Sequence, residues 1–212
     1  RQGVWFRYHH LFGDFLKREF RRADPEAYLD TCRRAAEWCE NNGEPTEAIR
    51  YTLEGGNYDA AAKTIARHAL RTSMYQGDHY TMLGWLRRLP LKYRDQHPEI
   101  LLAHAWSLAF SRDTAQAITT SQRTLDLLNE ERWALPPTER GQLELLTRNT
   151  QAAALACADA IEDCLERAND LRSKVSEDQP FVIATLSNCL SYGYFVKRDF
   201  SRSRTAAVDA HQ

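Results

Sequence analysis

The sequence predicts an all-α protein, a TPR-like helical-repeat solenoid of antiparallel helix pairs. Three observations predict it. Apolar residues recur at helical rather than alternating spacing from residue 8 onward. Gly and Pro punctuate the chain into short helical segments. The second half repeats itself. The 212 residues, 43% hydrophobic and 27% charged with only 9 Gly and 7 Pro, permit a packed core and exclude disorder or collagen-like order.

Val4-Trp5-Phe6 is the one convincing β-like run and predicts a short strand. Leu11, Phe12, Phe15, Leu16 and Phe20 then share a face opposite Arg18, Arg21 and Arg22, which predicts an amphipathic helix over 8–22. Asp24-Pro25 restarts the chain, with Asp as N-cap and Pro at the first helical position. Tyr28, Cys32, Ala35, Ala36 and Cys39 stripe that second helix, and Gly43 closes it in the left-handed conformation. A third helix over 44–53 stops at Gly55-Gly56. A fourth starts at Asn57 and carries Tyr58, Ala61, Ala62, Ile65 and Ala69 inward. Short helices between Gly-containing turns read as stacked hairpins.

From Gly77 to Pro98 the pattern is less regular and marks a joint. Longer helices follow over 98–110, 114–130, 137–156, 158–174, 179–196 and from 200, making three pairs. Ile118, Ser121, Leu125 and Leu128 match Ile161, Cys164, Ala168 and Leu171 at an offset of 43, and Arg112-Asp113 recurs as Arg198-Asp199 at twice that. That period exceeds the tetratricopeptide value of about 34. Small residues (Ala117, Ser121, Ala160, Cys164, Ser203, Ala207) stand where helices approach closely, and the expected product is a curved array with a concave face.

Charge is balanced, 28 Lys plus Arg against 29 Asp plus Glu, so no net field draws the chain to nucleic acid or an anionic membrane. The basic groups at 17–22 and 197–204 read as solvated helix faces, and no nucleic acid is expected on this chain. No apolar run approaches the length of a membrane span. Both ends read as cuts from a longer protein. The five cysteines, at 32, 39, 157, 164 and 189, lack C-x-x-C spacing and read as buried small residues in a reducing cytoplasm, with no metal site. No H-E-x-x-H, G-x-S-x-G or Gly-rich phosphate loop is present, so no enzyme activity is expected.

Arg7-Tyr8-His9-His10-Leu11-Phe12-Gly13-Asp14-Phe15-Leu16 resembles the R-Y-H-x-L-F-x-x-F-L segment of MalT-like members of the LuxR family of transcriptional activators. Arg34-Ala35-Ala36-Glu37-Trp38, Glu47-Ala48-Ile49-Arg50-Tyr51 and Gly55-Gly56-Asn57-Tyr58-Asp59-Ala60-Ala61 look like that family's next helices, in order. The match is detailed to about residue 90 and one of repeat style beyond. The resemblance implies a signal-transducing ATPase with a P-loop domain, a winged helix, a superhelical sensor and a C-terminal helix-turn-helix. Residues 1–22 would end the winged helix, 23–96 form a helical hairpin region and 97–212 a TPR-like sensor region. It implies a small-molecule inducer or regulatory protein as partner, with self-association of the intact protein. No cofactor is expected on this chain, since no G-x-x-x-x-G-K-[ST] cradle is present; ATP or ADP belongs to the intact protein. His9 aligns with the His of the Met-His-Asp segment in related nucleotide switches, which touches the ADP β-phosphate. A His pair packing the winged helix is the alternative.

Aromatic and polar side chains cluster at Tyr75, His79, Tyr80, Trp85, His104, Trp106, Tyr192 and Tyr194. Flat rings with polar tips suit a small ligand in a concave array, and they equally fill space between helices. Three functional readings follow: the sensor of an activator, a free-standing helical-repeat interaction scaffold, and the accessory region of an enzyme.

Overall fold

The computed structural model describes residues 8–210. Among the described residues there are twelve α-helices, one π-helical turn and no strand. The Val4-Trp5-Phe6 expectation lies outside them. Two compact units divide the chain, residues 1–64 and 65–212, so the stretch 65–96 packs with the helices that follow it.

In the first unit α1 (His10–Ala23) is followed by α2 (Pro25–Asn41), α3 (Pro45–Glu54) and the start of α4 (Tyr58–Leu70). Asp24 caps α2 by accepting from the Ala27 amide at 2.9 Å, with Pro25 opening the helix. The core of this unit is Tyr28, Cys32, Ala36 and Cys39 of α2 against Ala48, Ile49 and Leu53 of α3. Helix α1 differs from expectation: its apolar stripe forms on one face but buries nothing. Leu11, Phe12, Phe15, Leu16 and Phe20 are between 37% and 66% exposed; only Phe20 meets an inward ring, edge-on to Tyr28 at 5.7 Å.

In the second unit α4 runs into a π-helical turn (Arg71–Tyr75), closed by the Gln76 amide on the Arg71 carbonyl at 2.9 Å. Then come α5 (His79–Arg88), a helix in the stretch read as irregular, and the short α6 (Leu91–Arg94). Asp78 caps α5 through the Thr81 amide. The Arg94 guanidinium donates to the Leu86 and Leu89 carbonyls at its far end. Three helix pairs follow: α7 (Pro98–Phe110) with α8 (Thr114–Asn129), α9 (Pro137–Cys157) with α10 (Ile161–Arg172), and α11 (Pro180–Val196) with α12 (Phe200–Asp209). Helices α7, α9 and α11 pack side by side in one row, while α8, α10 and α12 pack against them from behind. Pro98, Pro137 and Pro180 each open a front-row helix, where the missing N–H costs nothing. Ten of the 13 residues of α7 are buried, as expected for a helix apolar on every side.

One turn recurs. After α2, α3, α7, α8, α9 and α11 the chain closes with a left-handed residue and a Schellman bond: Glu44 N–H to Cys39 C=O, Asn57 to Thr52, Asp113 to Leu108, Arg132 to Leu127, Ala160 to Leu155 and Asp199 to Tyr194, at 2.8 to 3.0 Å. The left-handed residues are Gly43, Gly56, Arg112, Glu131, Asp159 and Arg198.

These turns correct the repeat register. Equivalent positions behind each front-row helix are Ala117, Cys164 and Ser203, each four residues past the helix cap, so successive offsets are 47 and 39 rather than 43. Helices α8 and α9 hold 16 and 21 residues, α10 and α11 only 12 and 17, one turn fewer each. An offset of 43 is their mean. It pairs apolar residues well because a four-residue slip stays on the same helix face. The cysteine reading also needs one correction: Cys32, Cys39, Cys164 and Cys189 are buried thiols, but Cys157 is exposed at the end of α9.

Candidate functional site

The front row carries a groove of about 590 Å³. Its walls are aromatic: Trp106 and Phe110, a helical turn apart on α7, face Tyr192 of α11. Its floor is α9, where Ala153 and Ala156 are too small to fill the space between those walls. Thr185 and Asn188 of α11 add polar groups on that side. At one end lie the turn residues Arg112 and Asp159, both in the left-handed conformation. The Tyr192 hydroxyl donates to the Asp159 carboxylate, and that bond holds the phenol above its ordinary range. The opening is thus amphipathic, with an Arg and an Asp beside an apolar trough.

An aromatic row continues the Trp106 wall. Trp106 lies 4.8 Å from Phe110 and 5.5 Å from Phe181 of α11, ring centre to ring centre. Phe181 in turn lies 5.1 Å from Tyr75 of the π-helical turn, and Phe110 stacks on His79 at 5.5 Å with planes 10° apart. Burial lowers the His79 pKa, against the pull of Asp78. The imidazole thus stacks on Phe110 with its charged form disfavoured. Its Nδ1 has no hydrogen-bond partner.

Of the residues the sequence singles out, Trp106 and Tyr192 line the groove, and Tyr75 and His79 end the aromatic row. The others stand apart. Trp85 is buried in α5. Tyr80 is 82% exposed, with the Arg87 guanidinium 5.9 Å above its ring. Tyr194 turns toward α10, its hydroxyl on Asn169 at 3.3 Å. His104, two residues from Trp106 and so on the opposite side of α7, is pushed down to about 4 by burial and by Arg94. His9 occupies the N-cap position of α1, exposed, with its ring 4.3 Å from that of His10. Sequence reasoning missed Phe110 and Phe181, which carry no polar tip to single them out, and the α9 floor, whose alanines carry no chemical signal.

The thiols near the groove are not poised for nucleophilic chemistry. Partial desolvation at the end of α9, with Cys164 and Asp159 nearby, raises Cys157 although it is surface-exposed, and a hydrogen bond with Cys164 together with burial holds Cys189 protonated. No group of side chains suited to a metal ion occurs among the described residues, and none of their helices is long and apolar enough to cross a membrane.

Comparison with known proteins starts from the other unit. Residues 1–28 match the family model described as the MalT winged helix domain. The regulator AlkS of Pseudomonas putida is 32% identical over 112 residues, 53% of this chain and 13% of AlkS. The regulator MalT of Cronobacter sakazakii is 31% identical over 105 residues, 49% of this chain and 11% of MalT. The resemblance is to MalT-like regulators. A wider match at lower identity, 25% over 197 residues, covers 93% of this chain and 18% of the serine/threonine-protein kinase PknK of Mycobacterium tuberculosis strain H37Rv. The chain spans less than a fifth of the length of each of these relatives. No solved structure matches.

Proposed function

We propose that this chain is the sensing and transduction segment of a MalT-like, ATP-dependent transcriptional activator working in the cytoplasm. Residues 1–22 would end a winged-helix domain, 23–96 form the helical hairpin region, and 97–212 belong to the sensor. A small-molecule inducer or regulatory protein would occupy the front-row groove and promote self-association of the intact protein, while other segments hold ATP and contact DNA. The observation that carries this reading is the winged-helix match over residues 1–28 on the same chain as a groove-bearing helical array. The exposed stripe of α1 supports it, since a winged helix would cover Leu11, Phe12 and Phe15 with its own remainder.

Transcription from a reporter driven by the intact regulator tests the reading. Trp106→Ala and Tyr192→Ala should shift the inducer dose response by about tenfold or more with protein level unchanged, because each removes a groove wall. Unchanged dose responses in both variants would sink it. His9 is retained as the nucleotide-sensing residue by resemblance; His9→Ala should change basal output, and unaltered output with unaltered nucleotide retention would remove it.

A helical-repeat interaction scaffold is the second reading. It is favoured by the match to PknK, whose name describes a kinase rather than a DNA-binding protein, along almost the whole chain. Under it the groove takes a peptide, and output is insensitive to small molecules.

A further inference from the structure

Asn149 lies midway along α9, the floor of the groove. It is fully buried, and neither its amide nitrogen nor its amide oxygen has a hydrogen-bond partner. Leaving both halves of an amide unpaired in the interior is costly, and native proteins rarely do so without a reason. Its direction is fixed by helical geometry. At about 100° per residue, Asn149 points between Ala156 and Ala153, the two alanines that face the groove. It sits one turn before Ala153, deeper along the same trough. Gln151, by contrast, points to the opposite side, where it bonds Gln122 and Arg167 behind the row.

Helix register puts the Trp106–Phe181 contact over this part of the trough: counted back from the turns at Asp113, Ala160 and Asp199, Asn149 stands 11 residues before its turn, between Trp106 at 7 and Phe181 at 18. Trp106 belongs to α7 and Phe181 to α11, the two neighbours of α9, so their 5.5 Å ring contact spans the middle helix. The open groove therefore ends against an aromatic bridge, and an unsatisfied amide faces the same trough one turn further in. Trp106 is only 6% exposed, but on its outer side it borders the open groove. Rotation of its side chain toward that space would join the groove to Asn149.

We propose that Asn149 is the polar anchor of a ligand subsite closed by the Trp106–Phe181 pair. The ligand class it selects is a planar aromatic molecule with an uncharged amide edge, a lactam or a primary carboxamide. The Asn side chain presents one acceptor and one donor pointing the same way, and a lactam or carboxamide presents the complementary donor and acceptor. A carboxylate offers no donor, and Arg112, the cation in the groove lining, stands at the mouth beside Asp159 rather than at Asn149. With Trp106 turned aside, the flat body would stack on Phe181 in the place the indole leaves. Selectivity follows from the orphaned amide, because a site that hydrogen-bonds a ligand rejects the analogue that leaves its buried polar groups unpaired.

This subsite rests on the reading of residues 65–212 as a sensing region, and the two fail separately. The probes are 2-quinolone, its N-methyl derivative, which lacks the donor, and quinoline, which lacks the amide, each titrated into the whole chain by calorimetry. The wild type should bind 2-quinolone at least about tenfold more tightly than either analogue, and Asn149→Leu should abolish that preference while keeping affinity for quinoline. Asn149→Ala serves as the second variant if the Leu side chain is not tolerated. Equal or undetectable binding of all three probes by the wild type overturns the subsite, as does a lactam preference that survives both substitutions. Either result leaves the sensing reading standing if the reporter still responds to Trp106→Ala. A reporter indifferent to both Trp106→Ala and Tyr192→Ala ends that reading while a lactam-selective groove remains.

Discussion

Residues 8–64 and 98–210 share one hydrogen-bonded helix-closing turn but place different residues in it. In the first unit the left-handed position is Gly43 and Gly56; in the three-pair array it is Arg112, Glu131, Asp159 and Arg198. An L-residue there costs about 1–2 kcal/mol that glycine avoids. The array also buries far more: ten residues of α7 and ten of α9 against none of α1 and four of α2. Where packing is dense, tertiary contacts hold a turn that the local sequence disfavours. Where packing is thin, the turn residue itself has to favour the bend. The same contrast decides where a ligand site can form, because the groove needs three long helices held in one row.

The contrast is broken most directly in the cores. Leu102 of α7 is fully buried, so Leu102→Ala should cost about 3–4 kcal/mol by urea denaturation, transfer and cavity terms together. Leu11→Ala on α1, 66% exposed, should cost less than about 0.5 kcal/mol. Comparable losses would mean that the α1 face is covered in solution.

Close helix approach gives the next largest effect. A Cβ placed on Gly193 of α11 would meet Leu165 of α10 at 2.7 Å. Gly193→Val therefore overpacks that contact, and a loss of about 2 kcal/mol is expected. A neutral result would show that the array yields more than its burial implies.

Acid should act on the array as well. His104 has its pKa depressed to about 4 by burial and by Arg94, only partly offset by Asp113, against about 6.5 in the unfolded chain. Between those values the unfolded chain binds the extra proton, so stability falls as pH drops from about 6.5 to about 4 and then levels. The depressed pKa of His79 adds in the same direction. Thermal melts across that window should lose on the order of 2 kcal/mol, and His104→Gln should flatten the profile. A pH-independent wild type would contradict the burial of His104.

Much of the fold was legible because helix stops are local. Pro98–Phe110 is observed where its Pro and apolar run predict it, and Asp24 caps α2 as its Asp-Pro pair predicts. The register was harder. Arg-Asp carries no turn signal of its own, and a helix face tolerates a one-turn slip, so 47 and 39 averaged into 43. The π-helical turn left no mark either, since Thr72, Ser73 and Met74 are unremarkable helix residues. Trp106 and Tyr192 could be named from their side-chain chemistry alone. Their partners could not: Phe110 and Phe181 carry no polar tip to single them out, and Asn149 looks like a stray polar residue until three helices distant in sequence are set side by side.

The smallest effects are the most informative about the turns themselves. Arg112→Gly and Arg198→Gly remove the left-handed strain but add unfolded-state entropy of about 0.5–1 kcal/mol, so each should stabilise by about 0.5 kcal/mol net. Asp159→Gly should come out near neutral, because Asp tolerates that conformation and its carboxylate accepts the Tyr192 hydroxyl. Gly43→Ala and Gly56→Ala have open space for the new methyl group, so steric contact plays no part and about 1 kcal/mol should be lost to backbone strain alone. Thermal unfolding of the five single variants reads all of these. Opposite signs for the Gly-to-Ala and Arg-to-Gly sets would establish that the same strain operates in both units and is relieved by sequence in only one. If Arg112→Gly instead destabilised, the arginine side chain would have to hold the groove mouth in place, and the array's departure from glycine would belong to the site rather than to the fold.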